Sequence, residues 1–255
     1  MEARTGRVTW LGHAAVLVEV DGARLLTDPV LLARVAHLRR RTAVPDDPGP
    51  LDGILISHAH HDHLHLPSLR RLDPAAPVVA PPGAARTLRR SGRAVHELTP
   101  GDELTLAGVR VRAVEAVHDG RRMPVGPVAD AVGFVVAGSQ TVYFAGDTEP
   151  FDGMAALGDA LDAALLPVWG WGPRLGPGHM DPRQAAEVLT LLRPALAVPI
   201  HWGTYAPLGT RERGSRRAPA DTFAAHAAEL APDVRVAVLD PGGSVALPAR
   251  ITRHE

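Results

Sequence analysis

The chain is most constrained by a short run of metal-binding side chains at residues 58–63. Asp52-Gly53-Ile54-Leu55-Ile56-Ser57 has the apolar pattern of a buried strand and leads directly into His58-Ala59-His60-His61-Asp62-His63. Alternate residues of an extended segment point to the same side, so His58 and His60 can bind one cation while His61 points away. Asp62 and His63 follow after a turn, at a neighbouring position where a second cation can bind. The run therefore predicts a metal site.

Other interpretations of this run agree less well with its surroundings. Affinity tags and metal-storage tracts are repetitive and lie at termini or in low-complexity sequence. This run instead follows a strand and precedes the helix-like segment 67–72. Structural zinc sites are usually rich in cysteine, and the chain has none. Solvated histidines are the remaining alternative, and we favour a functional metal site.

Length and composition set the outer limits of the fold and of the partners. The chain has 255 residues and 45% hydrophobic content, which is enough for one large core. Its net charge of −1 does not predict a nucleic-acid-binding surface. The lack of cysteine excludes disulfides and thiolate ligands. We find no apolar leader or membrane-spanning run, and we expect a cytoplasmic protein. A homo-oligomer is left open.

The hydrophobic pattern predicts many short strands with helices between them. Strands are predicted over 8–11, 15–20, 24–27, 78–80, 103–107, 109–117, 131–137, 140–146, 162–168 and 195–200. Asp181, Pro182 and Gln184 form the start signal of a helix, and a second late helix is predicted over 222–230. Residues 30–50 look irregular and end in a loop. The mixture indicates a layered α/β fold, with a weak division near 119–130.

Four other predicted strands end in a residue that can bind a metal. The strand residues 25–27, 114–117, 141–146 and 196–200 are followed by Asp28, His118, Asp147 and His201. Ligand sites in α/β proteins gather at strand ends, where the sheet is rigid and the loops can vary. We therefore expect these four residues to join the cluster at 58–63.

These motifs resemble the metallo-β-lactamase superfamily over nearly the whole chain. Trp10-Leu11-Gly12-His13, Leu26-Thr27-Asp28-Pro29 and Pro199-Ile200-His201-Trp202-Gly203 are similar to the branch with ascorbate-phosphate lactonases and N-acyl-phosphatidylethanolamine phospholipase D-like proteins. The resemblance implies an α/β fold, a four-layer αββα sandwich with mixed sheets. It also implies a single domain over 1–255, whose two pseudo-equivalent halves meet near 119–130.

The resemblance also implies a set of metal ligands. His58, His60 and His118 would hold the first of two divalent ions, and Asp62, His63 and His201 would hold the second. Asp147 would bridge both. A site of histidine and aspartate accepts Zn²⁺, which we expect first, and also Mn²⁺ or Fe²⁺.

A site of this kind favours hydrolysis. A bridging hydroxide would attack a small anionic ester, lactone or phosphodiester, since two divalent ions lower the pKa of water and stabilise the developing charge. Asp62 would orient this nucleophile as well as bind metal. His179 is the candidate general acid for the leaving group, although it is placed equally well to cap the helix that begins after Asp181.

Further residues are candidates for contact with the substrate or with the ligands. Asp28 would fix the tautomer of a ligand imidazole, with turn capping as the alternative. His13 matches a histidine at the active site of the phospholipase-like branch. Arg121 suits an anionic group, and Trp169 and Trp171 would form a pocket wall. Two other functions stay open, a superfamily nuclease acting on RNA and a non-catalytic metal-binding protein.

Overall fold

The structure, a computed structural model, describes residues 5–89, 91–122, 129–170, 175–210 and 214–249. In chain order its elements are β1 (Arg7–Gly12), β2 (Ala15–Val20), β3 (Ala23–Thr27), β4 (Arg34–Val35), β5 (Leu38–Arg40), β6 (Gly53–Leu55), α1 (Leu66–Leu69), β7 (Val78–Ala80), α2 (Pro82–Leu88), β8 (Val95–Glu97), β9 (Glu103–Leu106), β10 (Val109–Glu115), β11 (Val132–Ala137), β12 (Thr141–Phe144), a 3-10 helix (Asp152–Ala160), β13 (Ala163–Pro167), α3 (Pro182–Leu192), β14 (Leu196–Ile200), β15 (Tyr205–Pro207), α4 (Ala218–Leu230), β16 (Arg235–Val236) and β17 (Ser244–Ala246).

Two seven-stranded sheets dominate the described residues. The first has the order β17-β1-β2-β3-β6-β7-β8 and the second β16-β14-β13-β12-β11-β10-β9. From β17 the first sheet has three antiparallel and then three parallel pairings. From β9 the second sheet repeats that pattern. The shared pattern supports two related halves, which stays a prediction, and residues 123–128 of the expected junction lie outside the described residues.

The main core lies between the two sheets. Strands of both sheets contribute buried apolar side chains to it, among them Val16 and Val18 of β2, Phe134 of β11 and Leu165 of β13. A second core packs α1 and α2 against the outer side of the first sheet, with Ile54, Leu69 and Leu88 as members. The helices α3 and α4 cover the second sheet. The expected four-layer αββα sandwich with mixed sheets is therefore confirmed.

The two late helices predicted from the sequence are present in the structure as α3 and α4. Asp181 caps α3 through a full capping box, because its side chain accepts the Gln184 N–H while the Gln184 side chain accepts the Asp181 N–H. The predicted helix over 222–230 begins four residues earlier, at Ala218. The segment after the histidine run makes only the short α1. Among the described helices, none is long and apolar enough to cross a membrane.

Residues 30–50 are more ordered than the sequence suggested. They supply β4 and β5, which join β15 in a three-stranded sheet. Beneath it lies a separate small core of Val30, Val35, Leu38 and Tyr205. Arg40 is buried there and donates to the carbonyl groups of Leu11, Val30 and Ala43. The pairing with β15 joins segments more than 160 residues apart, which no local pattern reveals.

The topology brings the expected strand ends to one edge of the sandwich. Strands β3 and β6 are parallel neighbours, so Asp28 and His58 follow at the same edge of the first sheet. Strands β12, β13 and β14 are parallel in the second sheet, and Asp147 and His201 follow two of them. His118 comes after β10, which runs in the direction of β12 because both are antiparallel to β11.

Candidate metal centre

Three histidine nitrogens converge at the first position of this edge. Nε2 of His58 lies 3.0 Å from Nδ1 of His60. Nε2 of His118 lies 3.2 Å from the same His60 nitrogen. All three ligand atoms fall within 4.8 Å of one another. Since neutral imidazoles gain little from such contact, a shared cation is the arrangement that these three nitrogens fit.

A second group of donors lies beside the first. It consists of His13, Asp62, His63 and His201, whose ligand atoms also lie within 4.8 Å of one another. Nε2 of His201 is 3.3 Å from Nε2 of His63. Asp62 Oδ2 lies 3.8 Å from His63 Nε2 and 3.9 Å from His201 Nε2. This group matches the expected second metal position and adds His13, whose Nε2 is 3.2 Å from Asp62 Oδ2.

Asp147 lies between the two groups. Its Oδ2 is 3.1 Å from His63 Nε2, and its Oδ1 is 3.4 Å from His201 Nε2. It also forms a donor group with His118 and His179. Its Oδ1 is buried and accepts no hydrogen bond from any described residue. A buried carboxylate oxygen without a donor is costly unless a cation neutralises it, so the donor set fits bound metal.

Four of the imidazoles are oriented by a hydrogen bond from Nδ1, the ring nitrogen that faces away from the centre. Nδ1 of His63 donates to Asp28 Oδ2 at 2.7 Å, and Nδ1 of His58 donates to Ser57 Oγ at 2.9 Å. The other two bonds go to backbone carbonyls, from His118 Nδ1 to Gly178 at 2.8 Å and from His201 Nδ1 to Trp169 at 2.7 Å. A proton held on Nδ1 in each ring allows Nε2 to present its lone pair to a metal ion at the centre.

Asp28 is the most enclosed carboxylate near the centre. Its side chain is fully buried and accepts hydrogen bonds from the Ser57 N–H at 2.8 Å and the Ser57 hydroxyl at 2.5 Å, besides that from His63. Its backbone N–H donates to the Leu55 carbonyl at 2.9 Å. Asp28 therefore connects the ends of β3 and β6 to a candidate ligand.

Three residues of the centre have a left-handed backbone. The φ angles are 56° at His13, 32° at Asp28 and 63° at His201. Such conformations are costly for residues with a Cβ and persist where surrounding bonds enforce them. His13 donates its N–H to Thr204 Oγ1 at 2.7 Å, and its carbonyl accepts the His201 N–H at 2.9 Å. Three of the seven described non-glycine residues with a positive φ therefore lie at strand ends that carry donors.

Burial and mutual charge shift the pKa of most groups in the centre. Burial, with repulsion from neighbouring imidazoles, lowers the pKa of His60 to about 4 and of His201 to about 3. Burial alone would raise the pKa of Asp147, but His201 and His63 outweigh it and hold that pKa well below its usual range. At neutral pH His60 and His201 are therefore neutral and Asp147 is ionised, which are the protonation states that bind metal. His63 differs, because burial lowers its pKa but the facing carboxylates of Asp147, Asp28 and Asp62 outweigh it and hold that pKa well above its usual range. Metal binding at His63 therefore displaces a proton.

The remaining residues predicted for catalysis or substrate contact differ in how they lie relative to the centre. His179 Nε2 lies 3.5 Å from Asp147 Oδ2, so its side chain faces the centre. His179 does not cap α3, because Asp181 is the N-cap of that helix. Arg121 pairs with the carboxylate of Asp119. Trp169 is half-buried, and its carbonyl holds His201. Trp171 lies outside the described residues.

Sequence reasoning missed several residues that hold the centre in place. Ser57 directly precedes His58, and this adjacency was the signal available for it. Glu149 follows Asp147 by two residues, and its Oε2 accepts the Gly178 N–H at 3.1 Å. Gly178 in turn accepts from His118, 60 residues away. Such contacts through backbone atoms leave no side-chain pattern in the sequence.

Comparison with known proteins agrees with this fold. The sequence model of the β-lactamase superfamily domain matches residues 23–202. A metal-dependent hydrolase from Methanopyrus kandleri is 32% identical over 245 residues, covering 93% of this chain and 98% of that one. N-acyl-phosphatidylethanolamine-hydrolyzing phospholipase D 1 of Caenorhabditis elegans is also 32% identical, covering 80% of this chain and 65% of that one. The structure of Igni18, a metallo hydrolase from Ignicoccus hospitalis, matches with a TM-score of 0.73 and 26% identity, covering 96% of this chain and 100% of that one.

The chain therefore belongs to the metallo-β-lactamase superfamily. Within that superfamily it is a metal-dependent hydrolase, the class to which its relatives and structural neighbours are assigned. The resemblance noted from the motifs of the sequence is confirmed.

Proposed function

We propose that the chain is a dinuclear hydrolase that cleaves a small anionic ester, lactone or phosphodiester. The observation that carries this proposal is the pair of donor groups that meet at Asp147. His58, His60 and His118 would hold one ion, and Asp62, His63 and His201 would hold the other. Two such ions, with Zn²⁺ expected first, lower the pKa of bound water and supply Lewis acidity at neutral pH.

The charge of the donor set supports an anionic substrate. Two divalent ions would exceed the combined negative charge of Asp62, Asp147 and a bound hydroxide, since histidines that bind metal are neutral. The centre would then attract a negatively charged group and stabilise the charge that develops on the substrate oxygen in the transition state.

Asp62 and Asp147 have different exposures, and this suggests different roles. The side chain of Asp147 is 3% exposed, whereas that of Asp62 is 16% exposed. Asp147 is therefore enclosed among the donor groups, as a bridging carboxylate would be. Asp62 reaches the solvent side, where it can accept a hydrogen bond from the attacking water and orient it. His13, 3.2 Å away, would fix the Asp62 carboxylate.

His179 is the proposed general acid. Its ring packs edge-on against His118 with centroids 4.9 Å apart, and its side chain is 21% exposed. A histidine beside Asp147 that is still open to solvent can donate a proton to the leaving-group oxygen. His179→Ala should lower turnover with both metals still bound, and the loss should shrink for substrates with good leaving groups. An equal loss for good and poor leaving groups would make His179 a positioning residue instead.

Two measurements test the proposal as a whole. Elemental analysis after reconstitution should find two ions per chain, and a single ion with full activity would refute the shared-carboxylate centre. A hydrolysis panel should span lactones, phosphodiesters and phospholipids, with Asp147→Ala as the inactive reference. The phospholipid arm is included because the Caenorhabditis elegans relative is named as a phospholipase D. An RNA arm tests the nuclease alternative.

A further inference from the structure

Arg122 donates hydrogen bonds to the segment that carries the candidate ligands. From a single nitrogen, Nη1, it donates hydrogen bonds to the carbonyl oxygens of Ala59 and Leu64, both at 2.9 Å. Its side chain is half-buried. Arg121 instead pairs with the carboxylate of Asp119.

The two carbonyls accepted by Arg122 bracket the ligand turn, which we define as residues 59–64. This turn carries His60, Asp62 and His63 and therefore donors of both groups. Within the turn, the N–H groups of His63 and Leu64 both donate to the His60 carbonyl, at 3.1 and 2.8 Å. Because one nitrogen binds both ends, Arg122 fixes the distance across the turn.

The backbone beside Arg122 is packed against the same turn. The Gly120 carbonyl accepts the Ala59 N–H at 3.2 Å. A Cβ at Gly120 would lie 2.9 Å from the His58 Cβ, a separation that only glycine permits without displacement. The segment that carries His118 thus meets the ligand turn at its backbone and again through Arg122. The two segments come from different sheets, so this contact sets how the donors of one sheet face those of the other.

We propose that Arg122 is a positioning residue that holds the ligand turn in its metal-binding conformation before the ions arrive. The inference rests on the proposed two-metal centre. Residues that orient metal ligands through hydrogen bonds typically change metal affinity by about 10- to 100-fold when they are removed. Arg122 binds both ends of the turn that carries three candidate ligands. Its loss should therefore weaken the metal affinity of both proposed positions.

Arg93 provides a matched control. It is also partly buried and donates to backbone carbonyls, those of Leu69 and Leu72 at 2.6 and 2.7 Å and that of Ala76 at 3.1 Å. These carbonyls lie at the last residue of α1 and just after it, and none of these residues belongs to a donor group. Arg93→Gln should therefore lower thermal stability without changing metal affinity. If metal affinity falls when Arg122 is replaced but not when Arg93 is replaced, then Arg122 positions the ligands and does not merely stabilise the fold.

The test titrates metal-free protein with Zn²⁺ in competition with a chelator, and records the visible spectrum of the Co²⁺ form. Arg122→Gln should weaken Zn²⁺ binding by about 10- to 100-fold and alter the Co²⁺ bands. Arg122→Lys should recover most of the affinity, because both native hydrogen bonds come from one nitrogen that an ammonium can replace. Arg93→Gln should bind Zn²⁺ as the wild type does.

Equal Zn²⁺ affinity in Arg122→Gln and wild type would overturn the inference, as would an equal loss in Arg93→Gln. Hydrogen exchange of the metal-free wild type gives a test that needs no variant. The amides of His63 and Leu64 should be protected, and free exchange would show that the turn is not held before metal binding. A wild type that binds no metal would overturn the proposed function itself, and this inference with it.

Discussion

Replacement of Asp28 by asparagine should force the buried candidate ligand His63 into the tautomer that cannot bind metal. Asp28 accepts three hydrogen bonds, two from Ser57 and one from His63. An asparagine can keep its oxygen on the Ser57 N–H, but its amide group then faces Nδ1 of His63. Two donors cannot share that contact, so His63 must move its proton to Nε2. The nitrogen that faces Asp147 would no longer offer a lone pair.

The size of the effect follows from the burial of this contact. An unsatisfied buried donor costs about 1–3 kcal/mol, and the same energy is lost if the wrong tautomer is enforced. This energy corresponds to about 5- to 150-fold in a dissociation constant. We therefore expect Asp28→Asn to weaken Zn²⁺ binding at one position by about that factor. Chelator competition on the metal-free protein measures it.

Asp162 provides the control for this experiment. It is also a buried aspartate, and its Oδ2 accepts the Thr141 N–H at 2.7 Å, far from the donor groups. An asparagine oxygen can accept the same bond, so Asp162→Asn should leave Zn²⁺ affinity unchanged. If Asp28→Asn bound both ions as tightly as the wild type, the tautomer argument would be wrong.

Four further predictions test other contacts of the centre. Gly178→Ala should abolish activity, because its Cβ would lie 2.6 Å from His118 Nδ1 at a φ of +80°, whereas Gly176→Ala, with nothing within 4 Å, should be mild in the same assay. Glu149→Ala should lower kcat severalfold by releasing the Gly178 loop, and Glu149→Gln should restore it; equal kcat in both variants would exclude this role. His61→Ala should keep its metals in elemental analysis, since His61 is exposed and outside the donor groups. Unfolded His60 takes up a proton near pH 6.5 and folded His60 only near 4, so His60 by itself should account for about 2 kcal/mol of the unfolding free energy that the metal-free protein loses between pH 7 and pH 5. Urea unfolding measures this loss, and His60→Gln should reduce it.

The layered fold and the gathering of donors could be predicted because they depend on local patterns. Apolar runs such as 25–27 and 196–200 mark buried strands without tertiary information. In an α/β sandwich, parallel strands deliver their final residues to one edge, so Asp28 and His201 could be expected together although 173 positions separate them in the sequence. The alternation of His58 and His60 is also a local pattern, so their convergence could be predicted from the sequence.

The supporting contacts could not be predicted, because they join distant segments through backbone atoms. The carbonyl groups of Gly178 and Trp169 orient His118 and His201, and any residue type supplies a carbonyl. Two adjacent arginines look alike in the sequence, yet Arg122 reaches the ligand turn while Arg121 pairs with Asp119. The three-stranded sheet depends on pairing between β5 and β15, whose strands are short and irregular in pattern.

The candidate metal ligands are distributed between the two sheets. His58, His60, Asp62 and His63 follow a strand of the first sheet, whereas His118, Asp147 and His201 follow strands of the second. Each proposed ion would therefore have ligands from both sheets. Without ions, the edge where the sheets meet holds several imidazoles whose burial opposes protonation. Bound metal would neutralise the buried carboxylates and join the sheets at this edge, so the binding free energy would also stabilise the sandwich.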